Sequence, residues 1–251
     1  MPKYSVVVVG KNEEKYILNL LNELNKLPNE VEIVFVFPKN DPTWKVIKTH
    51  MRREYKSGYD PGKGPGYARN LGRDLAEGEY LVLFDADCWM SYKDIMKLLK
   101  LIEKRDDVCY IYPVLEHLPK FFPKSMKIIA DFIMCSIFWP IYILTNNILA
   151  LPLTLTNVFA CRKSEFARFS DYYPGEDFDF GYKLKKKTGK RFVVTFSLRS
   201  YTYDRRFCNF KFPFWLRVLS PLLALVFYIV HSTYFIVFKK PLPIFKYRFI
   251  R

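Results

Sequence analysis

The chain has 251 residues, 40 Lys plus Arg against 25 Asp plus Glu, and a net charge of +15. Half of it is apolar and 45 residues are aromatic (18 Tyr, 23 Phe, 4 Trp), enough core-forming material to exclude global disorder. The length suits one domain with a small appendage and is cramped for two.

Tyr4–Val9 ends in four consecutive valines, the pattern of a strand buried on both faces. A strand-like run this close to the start leaves no room for a signal peptide there. Glu13–Leu27 repeats apolar residues at Ile17, Leu20, Leu21, Leu24 and Leu27, which predicts a helix. Val31–Phe37 reads as a second buried strand, ended by Asn40-Asp41-Pro42. Thr43–Tyr55 reads as a helix and Lys56–Gly66, with four of the ten glycines, as a loop. Helices at Tyr67–Glu77 and Lys93–Arg105 flank a strand at Glu79–Phe84, and Val108–Tyr112 follows as a strand. A strand at Asn157–Cys161, a helix starting near Gly175 and a strand at Arg191–Phe196 complete the series. Strands alternating with helices predict a doubly wound α/β sheet, with ligands at the carboxyl ends of its strands.

The charge is unevenly spread. Residues 199–251 hold ten basic residues and one acid, and residues 117–164 hold five and one. The other 150 residues carry only +2. Both basic stretches also contain the longest apolar runs, a pairing that favours a membrane interface over nucleic acid. Val218–Phe238 is long enough to cross a bilayer and has no charged residue apart from His231. Five basic residues lie on each side of it, so positive-inside counting does not orient it. Met126–Leu155 is interrupted by Asp131, Pro140, Asn146, Asn147 and Pro152, which suits an interfacial or re-entrant segment better than a span. The expected organisation is a catalytic domain over residues 1–212, with residues 120–155 at the membrane interface, and an anchoring segment over 213–251. Five scattered cysteines fit neither a disulfide framework nor a zinc site.

Two acidic motifs could carry chemistry. Asp85-Ala86-Asp87 follows a strand, and alternate residues of an extended chain point the same way. Two carboxylates there suit Mg²⁺ or Mn²⁺ together with a diphosphate. The pair could equally be a turn or an N-cap. Pro174-Gly175-Glu176-Asp177-Phe178-Asp179 could supply a general base, or simply complement a helix N-terminus for about 0.3–1 kcal/mol. The glycines at 58–66 lack the spacing of a Walker loop, although Lys63 and Arg69 could reach phosphate from that region.

Val6–Val9 with Asn12-Glu13 comes first, then Gly64-Pro65-Gly66-Tyr67-Ala68-Arg69-Asn70-Leu71-Gly72, then Glu77-Gly78-Glu79-Tyr80 leading into Asp85-Ala86-Asp87. With Gly175-Glu176-Asp177-Phe178-Asp179, Lys183-Leu184 and Lys187-Thr188-Gly189 after them, this order resembles family-two inverting glycosyltransferases of the GT-A fold over roughly residues 4–196. The resemblance implies a doubly wound mixed sheet and an enzyme moving a sugar from a UDP- or GDP-sugar donor. It implies Asn12 and Glu13 at the nucleoside and Arg69 near the nucleotide or diphosphate. Asp85 would lie at the ribose or metal, Asp87 would coordinate Mg²⁺ or Mn²⁺, and Asp177 would be the base with Glu176 beside it. Where the family usually has Asp-Asp after the second strand, this chain has Phe37-Pro38-Lys39-Asn40-Asp41, making Asp41 the candidate substitute. The Q-x-x-R-W of processive synthases is absent, with Arg205-Arg206-Phe207 near its place, which argues for one sugar at a time.

Asp87 and Asp177 must share one side of a membrane to share a site, so Met126–Leu155 is expected to return to its starting face. It would then line the approach of a lipid-linked acceptor, with the catalytic domain on the cytosolic side where donors are supplied. The alternatives are a polyprenyl-phosphate glycosyl synthase, whose ionised acceptor needs no base, and a non-catalytic membrane protein that binds nucleotide sugars.

Overall fold

The computed structural model describes residues 2–118, 157–170 and 176–203, with isolated positions at 140, 144, 230, 234 and 238. The valine run explains the centre of the fold. Val6 and Val8 enter one apolar layer with Phe35 and Phe84, while Val7 and Val9 enter another with Val36 and Leu83. A strand with both faces buried must lie inside a sheet covered on both sides.

That strand is β1 (Tyr4–Val9), and it is followed by α1 (Leu18–Leu24), β2 (Val31–Pro38), α2 (Thr43–His50), β3 (Lys56–Asp60) and α3 (Pro65–Leu75). Next come β4 (Tyr80–Asp85), β5 (Cys88–Trp89), α4 (Tyr92–Lys104) and β6 (Val108–Leu118). After the gap in the described residues come β7 (Val158–Arg162), α5 (Glu176–Thr188) and β8 (Arg191–Tyr203). The sheet order is β3-β2-β1-β4-β7-β6-β8-β5. β1 to β4 run parallel, β7 is antiparallel to β4 and β6, and β8 is parallel to β6. Residues of α1, α2 and α4 fill the first apolar layer, and those of α3 and α5 the second. This is the expected doubly wound mixed sheet.

The order reverses at β1, which has β2 and β3 on one side and β4 on the other. Such a reversal opens a crevice at the carboxyl ends of the strands. Here the crevice walls touch. The Ala86 N–H donates to the Val9 carbonyl at 2.8 Å. A Cβ on Gly10 would lie 2.8 Å from the Ala86 Cβ and 2.9 Å from the Glu13 Cγ. Glycine at position 10 lets the chain leaving β1 press against the chain leaving β4.

Several expectations are corrected. The predicted loop at Lys56–Gly66 contains edge strand β3, paired in parallel with β2. Its composition is poor for a strand, and tertiary pairing overrides local preference. Gly58 permits that pairing, because a Cβ there would lie 2.6 Å from the Leu75 side chain. The helix predicted from Glu13 begins only at Leu18, after turns that start at Glu13, and α2 ends at His50, short of Tyr55. β6 and β8 outrun their predicted ends. They pair with each other along their length, but the register jumps from Pro113↔Thr195 to Val114↔Arg199. That bulge scrambles the alternation that would have marked them.

Cys88, Cys109 and Cys161 are buried thiols outside any disulfide, and Cys135 and Cys208 lie outside the described residues. Met126–Leu155 and Val218–Phe238 also lie outside them, apart from the isolated positions. Among the described residues no helix is long and apolar enough to cross a membrane.

Candidate active site

Three elements deliver the central side chains. β4 ends at Asp85, α5 begins with Glu176-Asp177, and α3 carries Arg69 in its second turn. Arg69 is buried, with 4% of its surface exposed. Its Nη2 donates to Asp85 Oδ1 at 2.7 Å, and its Nη1 lies 3.4 Å from Asp177 Oδ1 and 3.8 Å from Glu176 Oε1. The guanidinium also sits over the Phe169 ring at 5.3 Å. The sequence reading placed Arg69 near nucleotide or diphosphate. In the structure it joins acids that lie about ninety residues apart in the chain.

The charges around Arg69 sort themselves out. Burial opposes its positive charge, but Asp85, Asp177 and Glu176 outweigh that and raise its pKa. One cation among three carboxylates leaves an excess of negative charge. Glu176 absorbs part of it, since burial first, then the neighbouring Asp177, push its carboxyl up to about 8. At neutral pH it is therefore mostly protonated. Accessibility separates the two acids further, because the side chain of Glu176 is 5% exposed and that of Asp177 is 36% exposed. Asp177 is the more accessible of the two.

Asp87 does not simply extend the line of Asp85. The chain turns at Ala86-Asp87 before β5, so the same-face argument for an extended D-x-D does not describe this corner. Asp87 is buried. Its carbonyl accepts from the Thr202 hydroxyl at 3.4 Å, and its Oδ1 accepts from the Cys88 thiol at 3.6 Å. Among the described residues no three His, Cys, Asp or Glu side chains group together as a metal cage. The donor set, hard carboxylate oxygens from Asp87 and Asp85, fits Mg²⁺ or Mn²⁺ as a site completed by a diphosphate.

A second cluster forms where β1 and β2 end. Asp41 is buried and accepts from the Asn12 N–H at 2.8 Å and the Thr43 N–H at 2.9 Å. Asn12 itself has φ +58°, a conformation that asparagine tolerates better than most residues. The Glu13 N–H donates to the Thr43 hydroxyl at 2.8 Å. Asp41 thus brackets the loop carrying Asn12 and Glu13. Lys63 lies just before α3. Its ammonium lies 5.1 Å from the Tyr67 ring centre, and it lines a cavity of about 450 Å³ with Asn70, Arg168 and Ser170.

Sequence reasoning gave no role to Thr43, Thr202, Asn70 or Phe169. Asn70 was visible within the glycine-rich motif, whereas nothing marked Phe169 or Thr202.

The topology and the converging acids define a GT-A-like α/β sheet with its site at the strand carboxyl ends. Residues 5–166 match Glycosyl transferase family 2, and the chain belongs to that family; by family it is a glycosyltransferase. It is 32% identical over 124 residues to the poly(ribitol-phosphate) beta-N-acetylglucosaminyltransferase TarS of Staphylococcus aureus, covering 44% of this chain and 21% of that protein. The chain thus matches about a fifth of that relative's length. The structure of S. aureus TarS residues 1–349 with UDP-GlcNAc superposes with a TM-score of 0.60 at 20% identity, over 95% of this chain and 76% of that one. The mannosyltransferase PcManGT of Pyrobaculum calidifontis, with GDP-Man and Mn²⁺, gives 0.58 at 17% identity, over 80% and 56%. At these identities the superpositions establish the fold.

The raised Glu176 carboxyl links folding to pH. Its ordinary value is 4.5 and its folded value about 8, so between these the folded state holds the extra proton. Its stabilising contribution is complete below about 4.5 and is lost as pH rises through about 8. Urea unfolding should show wild type losing stability relative to Glu176→Gln across that window. A difference that is flat, or that grows in favour of wild type, would contradict the buried, protonated Glu176.

Proposed function

We propose that this protein is a membrane-associated, inverting, metal-dependent glycosyltransferase. It moves one sugar at a time from a nucleotide-diphosphate donor to a hydroxyl of a lipid-linked acceptor. The observation that carries this reading is the division of labour at α5: Asp177 is accessible and adjacent to a buried Arg69, while Glu176 is buried. A general base must come within hydrogen-bond reach of the proton it takes, and Asp177 is the acid with access.

The acceptor hydroxyl loses its proton to Asp177 as its oxygen attacks the anomeric carbon of the sugar. The bond from that carbon to the donor's diphosphate oxygen breaks on the opposite face, and the nucleoside diphosphate departs with the bonding electrons. Asp87, with Asp85, would hold Mg²⁺ or Mn²⁺. An ion held there would supply Lewis-acid stabilisation of charge on the leaving diphosphate. Asn12 and Glu13 face the nucleoside, Asp41 holds their loop and stands in for the usual base-contacting acid, and Lys63 approaches the phosphates. UDP and GDP are the donor bases to test, since the similar TarS and PcManGT structures carry UDP-GlcNAc and GDP-Man.

The membrane part rests on charge and on the few described positions near the end of the chain. Val230, Tyr234 and Phe238 are each helical, and the Tyr234 and Phe238 rings lie 4.5 Å apart. Val230 and Phe238 are 49% and 56% exposed. Exposed apolar residues flanked by Arg and Lys suit a bilayer interface.

Asp177→Asn should lower kcat by about 10²–10⁴-fold while nucleotide-diphosphate binding with Mn²⁺, read by thermal shift, stays within about twofold. Unchanged turnover would remove the base assignment and favour a phosphate acceptor. In a flotation assay the full chain should rise with vesicles containing phosphatidylglycerol, and a chain ending at residue 212 should rise less. Equal flotation of the two would detach the membrane role from the C-terminal segment.

A further inference from the structure

The base proposed on α5 needs a fixed position, and the described residues before it, 163–170, hold no helix or strand. After β7 ends at Arg162, residues 163–165 form a turn and residues 166–170 belong to no helix or strand. Buried backbone groups in such a segment must find partners elsewhere. At Phe169 both come from one side chain. The Phe169 N–H donates to Asn70 Oδ1 at 2.9 Å, and Asn70 Nδ2 donates to the Phe169 carbonyl at 2.9 Å. Asn70 is itself buried, at 7% exposure. Its amide has one donor end and one acceptor end, so it acts on Phe169 as a neighbouring strand would.

The clamped residue passes its position onward. The Phe169 ring stacks on Phe180 of α5, centroids 4.1 Å apart and planes within 4°. Phe180 is fully buried and lies one turn after Asp177. The same Phe169 ring lies beneath the Arg69 guanidinium, next to Asn70 in sequence. The two ends of this chain of contacts are therefore fixed by adjacent residues of α3. Gly66 keeps the same junction tight, since a Cβ there would lie 2.9 Å from the Ser170 carbonyl and 3.5 Å from the Glu176 Cβ.

We propose that Asn70 is a positioning residue for sugar transfer, setting the placement of Asp177 through Phe169 and Phe180. This rests on Asp177 being the base. A misplacement on the scale of 1 Å can cost about 10²-fold in rate, so loss of the clamp should appear in kcat rather than in donor KM.

The test is a double-mutant cycle on the full chain, since residues that work as a unit give non-additive losses. Asn70→Ala alone should lower single-turnover transfer by roughly 10–100-fold and leave donor KM within about twofold. In the Asp177→Asn background the same change should cost less than about twofold, because the base it positions is already gone. Phe169→Leu, which keeps the backbone clamp but removes the stack, should behave in the same way and serves if Asn70→Ala does not fold. Equal fractional losses with and without Asp177, or no loss from either variant, would overturn the positioning role while leaving Asp177 as base. Wild-type turnover by Asp177→Asn would instead overturn the base, and the positioning role with it.

Discussion

The guanidinium of Arg69 is a charge removed from water, and much of the site follows from that. A buried cation is costly unless it is paired and hydrogen-bonded. The partners here come from the end of β4 and the start of α5, so the folded chain must hold those two ends together. Three carboxylates crowd around one cation, and in the least exposed of them, Glu176, burial and the neighbouring Asp177 raise the carboxyl's pKa. Beside it stands a half-buried but accessible carboxylate, Asp177, with a fixed cation behind it. The sheet supplies the frame for this. β1 is buried on both faces, the order reverses beside it, and Gly10 lets the two loops at the reversal meet.

Much of this architecture is legible in the sequence because it rests on short, local signals. Four consecutive valines mark a central strand. Asp85-Ala86-Asp87 and Glu176-Asp177 sit where strand and helix patterns change, and the order of the motifs points to the family. The donor-side loop is legible in part. Asn12, Glu13 and Asp41 are found as residues, but the bracket by which Asp41 ties Asn12 to Thr43 needs β1 and β2 side by side.

The rest is invisible for physical reasons. β3 has the composition of a loop and is a strand only because β2 offers a parallel partner. β8 is interrupted by a bulge, so no period of two runs through it. The partnership of Arg69 with acids on two other elements cannot be inferred from its neighbours in sequence. Asn70 and Phe169 are 99 residues apart, and neither type is chemically conspicuous. Long-range pairs of this kind emerge only when the fold brings them together. The excess basic charge lies mostly in residues 117–164 and 199–251.

Single displacement by a hydroxyl that Asp177 deprotonates has a stereochemical signature independent of the acceptor's identity. The most direct measurement is proton NMR of the anomeric signal in the newly formed linkage, compared with that of the donor sugar. The account predicts the opposite anomeric configuration in product and donor. A product that keeps the donor's configuration would contradict it.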